Sequence, residues 1–204
     1  MASNHSIDFF ETQFQRQARE RSYQLNPFES DVLPYLHGRM LDYGCGMGNL
    51  AIEAAKRGCS VVALDASPTA IADLKERAAS ERLPVEAGVA DLRDYQLTEY
   101  FDSVVSIGLL MFFDCPTAFK ALAHLQSRVS EGGLAVVNVL VEGTTYLDMF
   151  DADQHCLFSR AEMESRFADW RILKSEFKDF AAPKGKIKSF ATVFAQKLQT
   201  SNPL

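Results

Sequence analysis

An Asp-x-Gly-x-Gly-x-Gly segment, which begins at Asp42 and ends at Gly48, has residue types and a spacing that suit ligand binding. Glycine has no Cβ, so Gly44 and Gly46 tolerate unusual backbone angles and let a ligand approach the main chain around Cys45. The amide groups of a following helix favour an anion such as a carboxylate. The loop alone does not identify the ligand, because nicotinamide and flavin sites use Gly-x-Gly-x-x-Gly at the same place.

Two further acidic residues follow short β-branched runs downstream of the glycine segment. Asp65 ends the run at 60–65, and Asp91 follows the run at 84–90. The carboxyl ends of parallel strands share one edge of a sheet, so both carboxylates are expected beside the loop. Asp65 suits hydrogen bonds from ribose hydroxyls, and Asp91 suits an exocyclic amine such as that of adenine. The alternative interpretation is an ordinary strand–helix–strand turn with surface carboxylates.

Helices and strands that alternate along the chain are expected to position these residues. The predicted elements after the glycine loop are 48–57, 60–65, 68–82, 84–90, 101–107, 116–130 and 133–141. Strand, helix and strand repeated in this way predict a parallel, doubly wound sheet with right-handed crossovers. A helix from 159 to about 167 and two last strands, at 170–177 and 187–195, complete the prediction. The whole of 1–204 is interpreted as one domain.

Two segments outside the alternation are predicted to cover the ligand site. Residues 1–30 form an N-terminal helical cap, with an amphipathic helix at 7–22 whose aromatic stripe must pack on something. The segment at 143–158 is long and aperiodic, which is typical of a lid or a substrate loop. It contains His155, a candidate catalytic residue, and Cys156, which we interpret as a small buried hydrophobic side chain.

The composition of the chain indicates which partners it is expected to bind and which cellular compartment it suits. The formal net charge of -6 would repel a phosphate backbone, so we expect no nucleic acid partner. The four cysteines are widely spaced without a Cys-x-x-Cys pair, which argues against a disulfide framework or a metal site and suits a reducing cytoplasm. A polar start and the lack of a long apolar run predict neither a signal peptide nor a membrane span. Oligomeric state stays open.

The acids before the glycines and after the second and third strands together resemble the class I S-adenosylmethionine-dependent methyltransferases. That resemblance implies a Rossmann-like, mostly parallel seven-stranded α/β sheet with helices on both faces and an antiparallel last strand. It implies S-adenosyl-L-methionine as the cofactor, with S-adenosyl-L-homocysteine as the product. The implied cofactor-binding residues are Asp42, Gly44, Cys45, Gly46, Gly48, Asp65, Ala66, Ala90, Asp91, Leu92 and Ser106.

Three further passages are similar to the tellurite-resistance (TehB-like) methyltransferases. They are the stretch 100–113, Gly132-Gly133 before an apolar strand, and the closing Ile-Lys-x-Phe-Ala-Thr stretch at 187–192. The resemblance implies methyl transfer to tellurite, selenium species or thiols. The family's His-Arg pair between the last two strands is replaced by lysines, at 184 and 186.

The methyl acceptor is expected at the rim that follows the fourth strand, where Met111 and Phe112 are candidate catalytic residues. Displacement at a sulfonium methyl is accelerated by positioning, which contributes roughly 7–11 kcal/mol, so no side chain need act as a base. The alternatives are another small metabolite as acceptor, a nicotinamide-dependent oxidoreductase and a non-catalytic cofactor-binding module.

Overall fold

A computed structural model describes residues 5–151 and 154–199 of the chain. The strands are β1 (Arg39–Tyr43), β2 (Ser60–Asp65), β3 (Val85–Val89), β4 (Phe101–Ile107), β5 (Val129–Leu140), β6 (Trp170–Ala181) and β7 (Ile187–Lys197). The helices are α1 (His5–Glu20), α2 (Pro27–Val32), α3 (Asn49–Lys56), α4 (Pro68–Ser80), α5 (Cys115–Ser127) and α6 (Arg160–Ser165). Single 3₁₀ turns span Leu33–Tyr35, Leu110–Phe112 and Pro183–Gly185.

The seven strands form one sheet in the order β3-β2-β1-β4-β5-β7-β6. The pairs β2–β3, β1–β2, β1–β4 and β4–β5 are parallel, whereas β7 is antiparallel to both β5 and β6. This arrangement confirms the predicted fold class. The chain order reverses between β1 and β4, and ligands of open α/β sheets bind at such a switch point, beyond the carboxyl ends of the strands.

Both faces of the sheet are buried, which explains why its central strands are apolar runs rather than alternating patterns. Successive side chains point to opposite faces. Leu41 and Val104 pack in one buried cluster, and their neighbours Met40 and Val105 pack in the other. Helices cover both clusters, so the strand ends and the loops that follow them are held on a rigid support.

Helix α2 is absent from the elements predicted from the sequence, which placed only the helix at 7–22 in this region. Asn26 begins this helix with a capping box: its side chain accepts a hydrogen bond from the Glu29 amide at 2.9 Å, and its own amide donates to the Glu29 carboxylate at 2.7 Å. Proline at the first helical position suits the helix, because the missing N–H would have no partner there. The Asn-x-x-Glu pattern was therefore the signal for α2.

Strand β5 is longer than predicted, since it begins at Val129 rather than at residue 133. The pairing with β4 shifts register between Phe101 and Ser103. Gly133 lies at this irregularity, and a Cβ there would come within 2.9 Å of the Asp102 carbonyl oxygen. The glycine therefore permits a bulge within a strand, where the sequence suggested a strand boundary. No helix in the described ranges is long and apolar enough to cross a membrane.

Candidate functional site

A cavity of about 730 Å³ opens at the carboxyl ends of the strands, within the usual size range of small-molecule sites. One half lies beside the loops that follow β1, β2 and β3, and we call it the loop end. The other half lies beside the end of β4, the β5 strand and the start of β7, and we call it the aromatic end.

The glycine segment forms the loop end as predicted. Gly44 and Gly46 have φ angles of 84° and 50°, in the left-handed region that favours glycine. The amides of Gly44 and Cys45 donate to the Leu64 carbonyl oxygen at 2.9 and 3.0 Å, which ties the loop to the end of β2. A Cβ on Gly46 would lie 3.2 Å from the Phe14 ring of α1. The loop therefore presents bare backbone under the N-terminal helix.

Asp65, at the end of β2, holds the loop in place. Its carboxylate accepts hydrogen bonds from the Gly46 amide at 2.8 Å and from the Ser67 amide at 2.9 Å. Burial raises the pKa of Asp65, and these amide bonds oppose the rise. Both oxygens retain lone pairs, so the carboxylate can accept further hydrogen bonds from a ligand. Ala66 lines the cavity beside it.

Asp91 lines the same end of the cavity and carries a counter-ion. Its carboxylate accepts a bond from the Arg93 Nε at 2.9 Å and also pairs with the end of that guanidinium. The Arg93 side chain holds the pKa of Asp91 below its ordinary value, so the acid is ionised at neutral pH. Leu92 is buried and also lines the cavity. Asp91 is thus an ionised acceptor at the position predicted for an exocyclic amine.

Asp42 is the buried acid of the site. It is the penultimate residue of β1, at 5% exposure, and within the described part of the chain its Oδ2 atom has no hydrogen-bond partner. Burial, followed by the charges of Glu29 and Asp65, raises its pKa well above the ordinary value. A buried acceptor without a partner is costly, so this oxygen marks a place where a ligand donor belongs.

Four residues predicted for the site do not line this cavity: Gly48, Ala90, Ser106 and His155. A Cβ on Gly48 would meet the Leu74 side chain at 2.5 Å, so this glycine allows α3 to pack against α4. Ser106 is fully buried within β4. His155 stacks on the Phe150 ring at 4.9 Å and faces the Asp151 carbonyl oxygen at 3.2 Å. Phe150 in turn packs on Phe112, which lines the cavity, whereas neither Phe150 nor His155 does.

Helix α1 lies across the loop end. The Glu11 carboxylate accepts hydrogen bonds from the hydroxyl groups of Ser67 and Thr69. The Phe10 ring contacts the Phe112 ring at 5.0 Å, edge to face. The aromatic side chains of the predicted cap therefore pack against the residues of the cavity wall. The arginines at 16, 19 and 21 of the same segment are exposed and lie outside the cavity. Residues 1–4 of that cap lie outside the described residues.

Aromatic side chains from three separate elements meet at the aromatic end. Phe28 of α2 packs against Phe190 of β7 at 4.9 Å and against Phe180 of β6 at 5.5 Å. Met111 and Phe112, which lie on the turn after β4 as predicted, are buried and line the same region. Sequence reasoning missed Phe28, Phe180 and Phe190, because only the pairing of β6 with β7 brings them together.

One lysine lies among these rings. Lys188 is partly buried, its ammonium lies 4.7 Å from the centre of the Tyr146 ring, and no acid forms an ion pair with it in the described ranges. Burial lowers its pKa. Lys186, by contrast, pairs with Asp148 at 2.7 Å and does not line the cavity. Asn138 is also at this end, with its Oδ1 atom buried and without a partner in the described part of the chain.

A disulfide joins Cys115 to Cys156, so the expectation that the cysteines form no disulfide is wrong. The predicted lid crosses the turn after β4, where the Cys156 amide donates to the Met111 carbonyl oxygen at 3.0 Å. This contact brings together two cysteines that are 41 residues apart. Cys156 is fully buried as predicted, but as half of a disulfide.

The cysteines therefore no longer argue for a reducing compartment. Residues 152–153 of the predicted lid lie outside the described residues.

Comparison with known proteins shows the class to which this arrangement belongs. Residues 40–133 match a family model described as a methyltransferase domain. The crystal structure of TehB from Haemophilus influenzae superposes with a TM-score of 0.76, at 19% identity, over 94% of this chain and 67% of that one. The N-methyltransferase NodS from Bradyrhizobium japonicum, in complex with S-adenosyl-L-homocysteine, superposes with a TM-score of 0.74, at 15% identity, over 96% of this chain and 100% of that one.

Two curated relatives that are named as methyltransferases agree with this class. TehB of Haemophilus influenzae, named as an S-adenosyl-L-methionine-dependent methyltransferase, is 25% identical over 171 residues, which is 78% of this chain and 57% of that protein. Magnesium-protoporphyrin O-methyltransferase of Rhodobacter capsulatus is 35% identical over 113 residues, which is 55% of this chain and 49% of that protein. The chain spans about half the length of these relatives.

The chain therefore carries a class I S-adenosylmethionine-dependent methyltransferase domain, and its cofactor is S-adenosyl-L-methionine. In sequence and fold the chain is similar to TehB, as the resemblance found in the sequence implies. The residues of the loop end fit the cofactor, because Gly44 and Gly46 leave bare backbone, Asp65 retains acceptor lone pairs and Asp42 has an unpartnered buried oxygen. Within the described ranges no group of side chains could hold a metal ion.

Proposed function

We propose that this protein transfers the methyl group of S-adenosylmethionine to a small soft nucleophile, either a thiol or a tellurium or selenium oxyanion. The observation that carries the proposal is Lys188, a cation without an acid partner among the aromatic side chains of the cavity. When bound, the cofactor supplies an electrophilic methyl group on a sulfonium centre, which is an excellent leaving group.

The aromatic end supplies the water exclusion that such a displacement needs. Phe28, Phe180 and Phe190 form one wall, and Met111 and Phe112 form the side nearest the switch point of the sheet. Removing water from an anionic nucleophile raises its reactivity, and holding it against the methyl group replaces a bimolecular encounter. Both effects require a dry, shaped space more than a particular catalytic side chain.

Lys188 supports an anionic acceptor. A thiolate or a tellurite oxygen would pair with the ammonium group, which is desolvated by the surrounding rings and therefore interacts strongly. The carboxylates that line the cavity belong to its loop end or to α2, where they would repel the same anion. An acceptor that arrives already deprotonated needs no general base, and His155 does not line the cavity.

A screen of acceptors tests the proposal directly. The purified protein is incubated with S-adenosylmethionine and tellurite, selenite, small thiols or thiopurines, and S-adenosylhomocysteine release is measured. Turnover with at least one acceptor of this group is the expected result. If the protein binds S-adenosylhomocysteine but turns over none of these acceptors, the proposed substrate class is wrong.

Replacing Lys188 by methionine should raise the KM for the anionic acceptor about tenfold or more, because a charged hydrogen bond contributes about 1.5–3 kcal/mol. Methionine keeps the apolar stem of the side chain. The dissociation constant for S-adenosylhomocysteine, measured by calorimetry, should not change.

Lys186→Met is the matched control for this substitution. Lys186 lies two residues away on the same hairpin, but its ammonium is bound to Asp148. Its removal should leave the KM unchanged. Equal effects of the two substitutions would show that the general charge of the hairpin, and not a contact with Lys188, attracts the acceptor.

A hydroxyl group on an aromatic ring is the second candidate acceptor. The relatives named as magnesium-protoporphyrin and ubiquinone-biosynthesis O-methyltransferases favour it, as does the ring-lined wall of the aromatic end. A hydroxyl acceptor would require proton removal, and burial lowers the pKa of Lys188 in the direction that a base needs. Adding catechols and simple phenols to the same screen distinguishes the two classes.

A further inference from the structure

Glu29 is an acid of the cavity wall that the sequence did not single out. It lies on α2, directly after Phe28, whose ring packs on the aromatic end. Its charge acts on Asp42 at the end of β1 and helps to raise the pKa of that residue. Glu29 therefore lines the cavity near Asp42, next in sequence to a residue of the aromatic end.

The Glu29 carboxylate is only partly used by the fold. Its Oε2 atom accepts the capping bond from the Asn26 amide at 2.7 Å. Within the described part of the chain, its Oε1 atom forms no hydrogen bond. Burial raises the pKa of Glu29, and no Lys or Arg contributes to the shift. One oxygen of this acid is consequently available to a ligand.

Asp42 provides independent evidence that a ligand donor belongs here. Its Oδ2 atom is buried and lacks a partner among the described residues, and the charges that act on it, those of Glu29 and Asp65, are both negative. Of the two basic residues that line the cavity, Arg93 is paired with Asp91, and Lys188 lies at the aromatic end. Neither of these side chains compensates Asp42 and Glu29, and a cation on the ligand would do so.

The cofactor carries one group with the required chemistry, the α-ammonium of its methionine portion, which has three N–H donors. The sulfonium centre is also positive but has no hydrogen to donate. We propose that Glu29, together with Asp42, binds this ammonium group, so that α2 takes part in selecting a cofactor with an intact amino acid portion. The inference rests on the assignment of S-adenosylmethionine to the glycine loop.

Glu29→Gln tests the inference with little effect on the fold, because glutamine retains an oxygen acceptor for the Asn26 amide. Binding is measured by calorimetry with two ligands, S-adenosylhomocysteine and 5′-methylthioadenosine, which lacks the amino acid portion. The affinity for S-adenosylhomocysteine should fall about tenfold or more, as for other charged hydrogen bonds, and the affinity for 5′-methylthioadenosine should be unchanged. Asp42→Asn should show the same selective loss.

Asp31→Asn is the matched control. Asp31 belongs to the same helix but pairs with Lys174 and Lys178 on its outer side, so neither affinity should change. If Glu29→Gln weakens both ligands equally, the residue acts only through the position of α2 and the inference is wrong. It is also wrong if both affinities stay normal and only turnover falls, since Glu29 would then act on the acceptor. If the unsubstituted protein binds neither ligand, the cofactor assignment itself fails.

Discussion

Replacing Gly46 by valine should lower the affinity for S-adenosylhomocysteine by at least about 100-fold, which corresponds to about 2.7 kcal/mol. Even the first carbon of the new side chain would lie 3.2 Å from the Phe14 ring, in a residue whose φ angle is 50°. The two methyl groups of valine would project further into the space between the loop and α1. The variant must either displace the helix or fill the space that the cofactor occupies.

Gly58→Val separates this steric effect from backbone strain. Gly58 also has a positive φ angle, 98°, but it is exposed at the end of α3 and a Cβ there would meet no atom within 4 Å. The control should lose stability in thermal unfolding and bind S-adenosylhomocysteine normally. If Gly46→Val folds and also binds normally, the glycine loop does not cradle the cofactor.

Replacing Asp65 by alanine should weaken S-adenosylmethionine binding about tenfold or more, because a charged acceptor contributes about 1.5–3 kcal/mol. The substitution removes the acceptor expected for the ribose hydroxyls. It also leaves the amides of Gly46 and Ser67 without their partner, so the loop loses its fixed conformation. The unfolding temperature should therefore fall as well, and affinity is best measured by calorimetry well below that temperature.

Asp65→Asn is the informative comparison. Asparagine keeps one side-chain oxygen, which can satisfy one of the two amides, and loses the charge. An affinity between those of the alanine variant and the unsubstituted protein is expected. An unchanged dissociation constant in the alanine variant would contradict the role of Asp65 in binding.

Local patterns in the sequence located most of the loop end of the site, although Gly48 and Ala90 do not line the cavity. The glycine spacing, the apolar run before Asp42 and the β-branched run before Asp65 each predict a strand end, and parallel pairing then places those ends together. The same reasoning predicted that Met111 and Phe112 would follow β4. These are features that depend on neighbours in the chain, or on a pairing rule that applies to all parallel sheets.

The remaining features depend on contacts between distant segments, which no local pattern specifies. The Cys115–Cys156 disulfide arises because the segment after β5 crosses the turn after β4, and His155 stacks on Phe150 rather than lining the cavity. The wall formed by Phe28, Phe180 and Phe190 requires the β6–β7 register. Only α2 had a readable local signal, the capping box that begins at Asn26.

Two segments outside the sheet, α1 and the segment after β5, line the cavity and are attached in different ways, and we expect this difference to affect ligand exchange. Hydrogen bonds to Glu11 and ring contacts hold α1, and these bonds break and re-form reversibly, whereas the segment after β5 is fixed covalently through Cys156. We therefore expect both the cofactor and the methyl acceptor to enter and leave the cavity past α1. We expect Glu11→Gln to raise the dissociation rate of S-adenosylhomocysteine, measured by stopped-flow competition. Reduction of the disulfide should leave that rate unchanged. The reverse result would show that the ligands leave past the segment after β5. The residence time of the product, and with it the upper limit on turnover, would then be set by a helix that lies outside the sheet.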